Sequence, residues 1–120
     1  MTKLKILLVD DDRRQLEDWG ELLHSNKHEV VFAHDGVEAV KKYDSSIDFV
    51  LTDYQMPDKG GIEVLCEIKE INPDARIWIH TQMKGDSFGH KKDEALMLGA
   101  EKFLHKNETA SALVAAGIIR

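Results

Sequence analysis

Apolar residues fall into five short runs, and each run is followed by a stretch in which they recur with helical spacing. The runs are KILLV (5–9), EVVFA (29–33), FVLTD (49–53), RIWIHT (76–81) and KFLH (102–105). Most are nearly continuous in apolar residues, which predicts strands buried on both faces of a parallel sheet. Residues 13–25 form the first helical segment, with Leu16, Trp19, Gly20 and Leu23 on one stripe. Asp35 is placed to cap a second helix carrying Val37, Ala39 and Val40. Gly60 and Gly61 introduce a third, with Val64, Leu65 and Ile68 at helical spacing and a stop at Asn72-Pro73. A loop over 83–92, with Gly85 and Gly89 and little apolar content, is expected to be mobile and to lead into a helix around 91–98 ended by Gly99. Ala110, Leu113, Val114 and Gly117 mark the last helix. Strand and helix thus alternate five times, the pattern of a sheet with helices on both sides.

Bulk properties narrow the class. A chain of 120 residues suits one domain with a single core, here read as residues 1-120. With 42% hydrophobic and 32% charged residues it has neither the composition of a disordered segment nor that of a membrane protein. The opening MTKLKILLV has lysines ahead of an apolar run, but Asp10, Asp11 and Asp12 follow at once and no small-residue cleavage site appears. The expected location is cytoplasmic. A net charge of −6, with Lys and Arg scattered, lacks the basic footprint of a nucleic-acid binder. Cys66 has no partner for a disulfide and lies where a packing residue belongs. His24 and His28 are four apart, yet Asn26-Lys27 is expected to end the helix between them, so they are not read as a metal pair.

Four polar features fall at the C-terminal ends of the expected strands: Asp10-Asp11-Asp12, Asp53, Thr81 and Lys106. In doubly wound sheets ligands bind outside those ends, where the strand order reverses. The flavodoxin-like (βα)5 arrangement, a five-stranded parallel sheet of order 2-1-3-4-5, sets strands one and three side by side there. Asp10, Asp11 and Asp53 then converge. A short hydroxyl suffices on strand four, whereas strand five, further off at about 4.8 Å per strand, needs a long side chain to reach back. Thr81 and Lys106 match that demand. Carboxylates about 4 Å apart repel by roughly 4 kcal/mol per pair at an intermediate dielectric. A hard, oxygen-seeking ion offsets this best: Mg²⁺, with Mn²⁺ as the alternative. Acids, a divalent ion, a hydroxyl and an ammonium together suit a phosphoryl group, and a carboxylate can itself accept one as an aspartyl phosphate.

The segments ILLVDDD, DFVLTDYQMPDKGGIEVL, ARIWIHT and LGAEKFLHK, taken in order, resemble the receiver domain of bacterial two-component response regulators over nearly the whole chain. The resemblance implies a stand-alone receiver domain with no output domain in this chain, a signalling switch that catalyses only its own phosphorylation and autodephosphorylation. By position it makes Asp53 the phosphoacceptor, Asp11 a direct Mg²⁺ ligand and Asp10 a ligand acting largely through water. The backbone carbonyl of Gln55 would complete the protein ligands. Thr81 would bond one phosphoryl oxygen and Lys106 another, and Phe103 occupies the aromatic switch position, expected to turn inward. Asp12 matches no functional position and is expected to begin the first helix. The implied partners are a sensor histidine kinase or a histidine phosphotransfer protein and a downstream protein target, met through the face of the fourth helix, fifth strand and fifth helix. Neither nucleic acid nor membrane is expected as a direct partner. The chain would be a monomer or a phosphorylation-dependent dimer.

Three features depart from the family pattern. Gln82 stands after Thr81, where a small residue is usual, and with Gln55 it is expected to alter the lifetime of the acyl phosphate. Asn107 follows Lys106 in place of a proline joined by a cis bond. The third is the glycine-containing loop 83–92. Two rival readings compete with the switch. A haloacid dehalogenase-type phosphatase would use Asp10 as nucleophile and Asp12 as general acid, but Arg14 stands where Thr or Val is usual and no later acidic pair follows. A pseudo-receiver would keep the fold as a binding module without phosphorylation. The complete acidic set, Thr81 and Lys106 speak against it.

Overall fold

A computed structural model of the protein describes residues 2–120. Its elements run β1 (Lys5–Val9), α1 (Arg13–Ser25), β2 (Glu29–Ala33), α2 (Gly36–Lys42), β3 (Phe49–Asp53), α3 (Gly61–Ile71), β4 (Ile77–Thr81), α4 (Ser87–Met97), β5 (Lys102–His105) and α5 (Lys106–Ala115). All strands are parallel, in the order β2-β1-β3-β4-β5. This is the flavodoxin-like order that the sequence predicts. Every residue of β3 and β4 is buried, which explains why those runs do not alternate with polar residues.

Side chains leave the sheet on two sides and build two cores. Leu7, Val9, Val50, Ile77, Ile79 and Phe103 meet Ala39, Val64, Leu65, Ile68 and Ala95 from α2, α3 and α4. Ile6, Leu8, Phe49, Leu51 and Trp78 meet Leu16 and Leu23 of α1 together with Leu113, Ile118 and Ile119. Truncating a fully buried leucine such as Leu51 or Leu65 to alanine costs about 2–5 kcal/mol in such settings. His28, buried, fastens the second core at its edge. It accepts a hydrogen bond from the Leu4 amide at Nδ1 (3.0 Å) and lies 2.5 Å from the Ile118 carbonyl at Nε2.

The helix starts follow local chemistry. Asp12 caps α1 by accepting from the amides of Arg14 and Gln15, and Asp35 caps α2 by accepting from Glu38. Helix α1 is capped at its C-terminus by Asn26, so His24 and His28 do not share a helix. At the start of α3, a Cβ on Gly61 would stand 2.5 Å from the carbonyl oxygen of Asp53. Only glycine lets that helix begin against the end of β3.

Val37 is carried by α2 as expected and lies 42% exposed on its outer side, the buried side being Gly36 and Ala39. Two expectations needed correction. Strand β4 begins at Ile77, and Arg76 just before it donates to Glu101 through Nε and Nη2, each at 3.0 Å. The expected loop over 83–92 is mostly helix, since α4 already starts at Ser87 and contains Gly89. Phe88 explains this: its ring stacks on His105 at 3.9 Å between centroids and lies 5.2 Å from Phe103, so tertiary packing holds a turn of weak helix propensity. No helix among the described residues is long and apolar enough to cross a membrane.

Candidate functional site

Asp10 lies just past the end of β1 and is almost completely buried. Its Oδ1 accepts from the Asp12 amide at 2.9 Å and its Oδ2 from Lys106 Nζ at 2.8 Å. Asp53 ends β3 at 8% exposure, and its Oδ1 accepts from the Tyr54 amide at 2.9 Å. Asp11 is exposed beside them. Asp10, Asp11 and Asp53 each bring a carboxylate oxygen within 4.8 Å of the others, as expected for neighbouring strands one and three.

Lys106 is the first residue of α5, and the bond that links it to Asn107 is trans like all those described. Its ammonium reaches back across the strand ends. It lies 2.8 Å from Asp10, 2.9 Å from Gln15 Oε1 and 3.4 Å from Asp53 Oδ1. Thr81, buried at the end of β4, accepts from the Met83 amide at 3.0 Å through Oγ1. A cleft of about 270 Å³ gathers the set, lined by Asp10, Asp11, Asp12, Gln15, Asp53, Gln55, Thr81, Gln82 and Lys106. Gln55 and Gln82 stand exposed at its rim.

Electrostatics mark Asp53. Burial pushes its carboxyl up to about 6, the Lys106 ammonium opposes this, and the charges of Asp10 and then Asp11 add to the rise. One ammonium therefore leaves the three carboxylates undercompensated. Clustered oxygen donors with residual negative charge fit a hard divalent cation such as Mg²⁺.

Most of the expected site residues converge, and Asp12 caps α1 as expected, its Oδ1 accepting from two backbone amides. Two findings modify or add to the expectation. Phe103 is already inward, 1% exposed and edge-on to Tyr54 at 5.5 Å, so it has no inward turn left to make. Gln15 is not among the site residues expected from the sequence, yet it touches Lys106 directly. Its pattern, Asp12-x-x-Gln15, is that of a capping box in which Gln15 would bond back to the Asp12 amide. That amide is taken by Asp10, which leaves the Gln15 oxygen free.

One further titratable group lies beside the cleft. His80 is fully buried on β4 in register with Asp53, packs its ring 5.3 Å from that of Trp19, and shares a 3.0 Å contact with Thr109 Oγ1 through Nδ1. Burial, then the nearby Lys106 charge, pulls it down to about 3, so it stays neutral. Its Nε2 is the only buried side-chain nitrogen or oxygen among the described residues without a hydrogen-bond partner.

Comparison with known proteins gives a consistent picture. The family model described as "Response regulator receiver domain" matches residues 6–117. The chemotaxis protein CheY of Bacillus subtilis (strain 168) is 36% identical over 114 residues, covering 93% of this chain and 92% of that one. The transcriptional regulatory protein CpxR of Escherichia coli (strain K12) is 37% identical over 113 residues. That match covers 92% of this chain but 46% of CpxR, so the chain spans about half the length of that relative. A crystal structure of a response regulator receiver domain protein from Clostridium thermocellum superposes with a TM-score of 0.84 at 34% identity, covering 94% of this chain and 90% of that one.

Proposed function

The chain belongs to the response regulator receiver domain family, and on that premise we propose that it is a phosphorylation-dependent switch of a two-component phosphorelay in which Asp53 accepts the phosphoryl group. Receiver domains are signalling switches rather than enzymes, bind Mg²⁺ at an acidic aspartate cluster, and work between sensor kinases and downstream targets. The observation that carries the assignment is the placement of Asp53, in a cleft with Asp10, Asp11, Thr81 and Lys106 and with its carboxyl raised to about 6.

Asp53 Oδ1 is engaged by the Tyr54 amide and faces Lys106, which leaves the other oxygen to attack phosphorus. The O–P bond forms as the P–N bond of a phosphohistidine on the kinase or phosphotransfer protein breaks, and the electron pair returns to the imidazole nitrogen. Asp10, Asp11, Asp53 and the Gln55 carbonyl would hold Mg²⁺, which would supply charge neutralisation for the phosphoryl oxygens. Lys106 moves its 3.4 Å contact from Asp53 to a phosphoryl oxygen while keeping Asp10. The Thr81 hydroxyl, which accepts from Met83, still has its proton to donate to another. That shift pulls on the short segment from Gln82 to Asp86 that joins β4 to α4.

The signal then leaves through α4, β5 and α5. Phe88 supports this route because it joins the first turn of α4 to Phe103 and His105 of β5. Exposed Gln55 and Gln82 set the lifetime of the acyl phosphate by ordering or excluding the hydrolytic water. We assign the domain to the cytoplasm, with a downstream protein rather than nucleic acid as its direct partner, and as a monomer or a phosphorylation-dependent dimer. Catalysis is confined to its own phosphorylation and dephosphorylation.

Incubation with Mg²⁺ and acetyl phosphate, followed by mapping of the acyl phosphate, tests the proposal. Label on Asp53 that is lost in Asp53→Asn, by more than about 100-fold, is the expected result. Label on Asp10 would move the protein to the phosphatase reading, and no label at any position would make it a non-phosphorylated binding module.

A further inference from the structure

We infer that Gln15 is a positioning residue for Lys106, holding its ammonium between Asp10 and Asp53 as a third, uncharged acceptor. An ammonium has three N–H donors, and that of the partly buried Lys106 side chain, 11% exposed, meets three acceptors: Asp10 Oδ2, Gln15 Oε1 and Asp53 Oδ1. The hydrogen bond from the Asp12 amide to Asp10 diverts Gln15 from the cap it would otherwise serve. Position also matters, since Gln15 lies on the first turn of α1, tied to the Asp12 cap at 3.4 Å, so its side chain starts from a fixed point.

The chemistry explains why an amide belongs there. A glutamate would add a fourth carboxylate to a cluster that already lifts the Asp53 carboxyl, and would compete with the phosphoryl group for the ammonium. An apolar side chain would leave one N–H facing no acceptor. The amide oxygen satisfies the donor while leaving the full positive charge for the phosphoryl oxygens. During transfer Lys106 gives up Asp53 and retains Asp10 and Gln15, so two of its three contacts persist and the ammonium needs little reorganisation. This role rests on the phosphoacceptor reading for its effect on rate, but not for the contact itself.

A double-variant cycle tests the inference, using acetyl phosphate at saturating Mg²⁺ on wild type, Gln15→Met, Lys106→Met and the double variant. Gln15→Met is expected to lower the maximal phosphorylation rate by roughly 3- to 10-fold, the scale of one hydrogen bond partly replaced by water. Half-saturating donor and Mg²⁺ concentrations should stay within about twofold, because Gln15 is not among the groups proposed to hold either. In the Lys106→Met background the same change should have no further effect. An equal drop in both backgrounds, or none in either, overturns the positioning role. The Lys106 ammonium signal in ¹⁵N-resolved NMR of the unphosphorylated protein provides a readout independent of the chemistry. It should be observable in the wild type and lost by faster exchange in Gln15→Met. If that loss is seen while the wild type takes no label, the phosphoacceptor reading fails and the hold on Lys106 stands. If the ammonium signal is indifferent to Gln15, the inference fails however Asp53 behaves.

Discussion

Asp53 and His80 are register partners on adjacent strands, and burial is the first cause of displacement in both. Their neighbourhoods differ. Asp53 opens into a cleft where two carboxylates and one ammonium act on it, and its carboxyl rises to about 6. His80 lies under Trp19 with one contact to Thr109, and its imidazole falls to about 3. In each case burial favours the neutral form, and the group's chemistry is then set by whatever else can reach it. Of the two, Asp53 lines the cleft and His80 does not.

The two groups should bend the stability curve in opposite directions. Between about pH 4 and 6 folded Asp53 holds a proton that the unfolded chain has released, so stability falls as pH rises. Folded His80 lacks a proton over the same window that the unfolded chain holds, so stability rises with pH. Each slope approaches about 1.4 kcal/mol per pH unit, and in the wild type they largely cancel. Removing either group breaks the balance. In Mg²⁺-free buffer, Asp53→Asn should show a more positive slope than wild type and His80→Asn a more negative one. The divergence should amount to about 2–3 kcal/mol across the window in urea titrations at stepped pH. Two variants with the same slope as wild type would refute the opposition.

Thr109→Val probes the closed side alone. It removes the only polar partner of the His80 ring among the described residues, and a cost of about 1–2 kcal/mol is expected at pH 7, with acyl-phosphate formation on Asp53 unchanged. A labelling defect in that variant would show that the two neighbours are not separable. The smallest effect is expected on the open side. Gln82→Ala should change the autodephosphorylation rate of the phosphorylated protein by about 2- to 5-fold, since it alters one exposed side chain at the rim. An unchanged rate would remove Gln82 from the control of phosphate lifetime.

The open side is the more legible of the two in the sequence. Asp10, Asp11, Asp53, Thr81 and Lys106 each sit at the end of an apolar run, and strand order alone brings them together. The features that escape a sequence reading depend on contacts distant in the chain. Gln15 reads in the sequence only as a capping-box residue, because its contact with Lys106 needs Asp10 to occupy the Asp12 amide and Lys106 to arrive from α5. The start of α4 is hidden because two glycines and few apolar residues argue for a loop, and only the stacking of Phe88 on His105 overrides them. Phe103 is recognisable as an aromatic at the right place. Its inward pose comes from packing between Tyr54 and Phe88, which no local pattern encodes.

The placing of the two tryptophans has an optical consequence. Trp78 is fully buried, edge-on to Phe49 at 5.1 Å, with its indole N–H held by Glu101. Trp19 is half-buried on α1, and its ring lies over His80, the register neighbour of Asp53. The protein thus carries one fluorophore sealed in the core and another packed against the register neighbour of Asp53. Emission changes on loading the site should come from Trp19 against the constant background of Trp78, and Trp19→Phe should leave the chemistry running but spectrally silent.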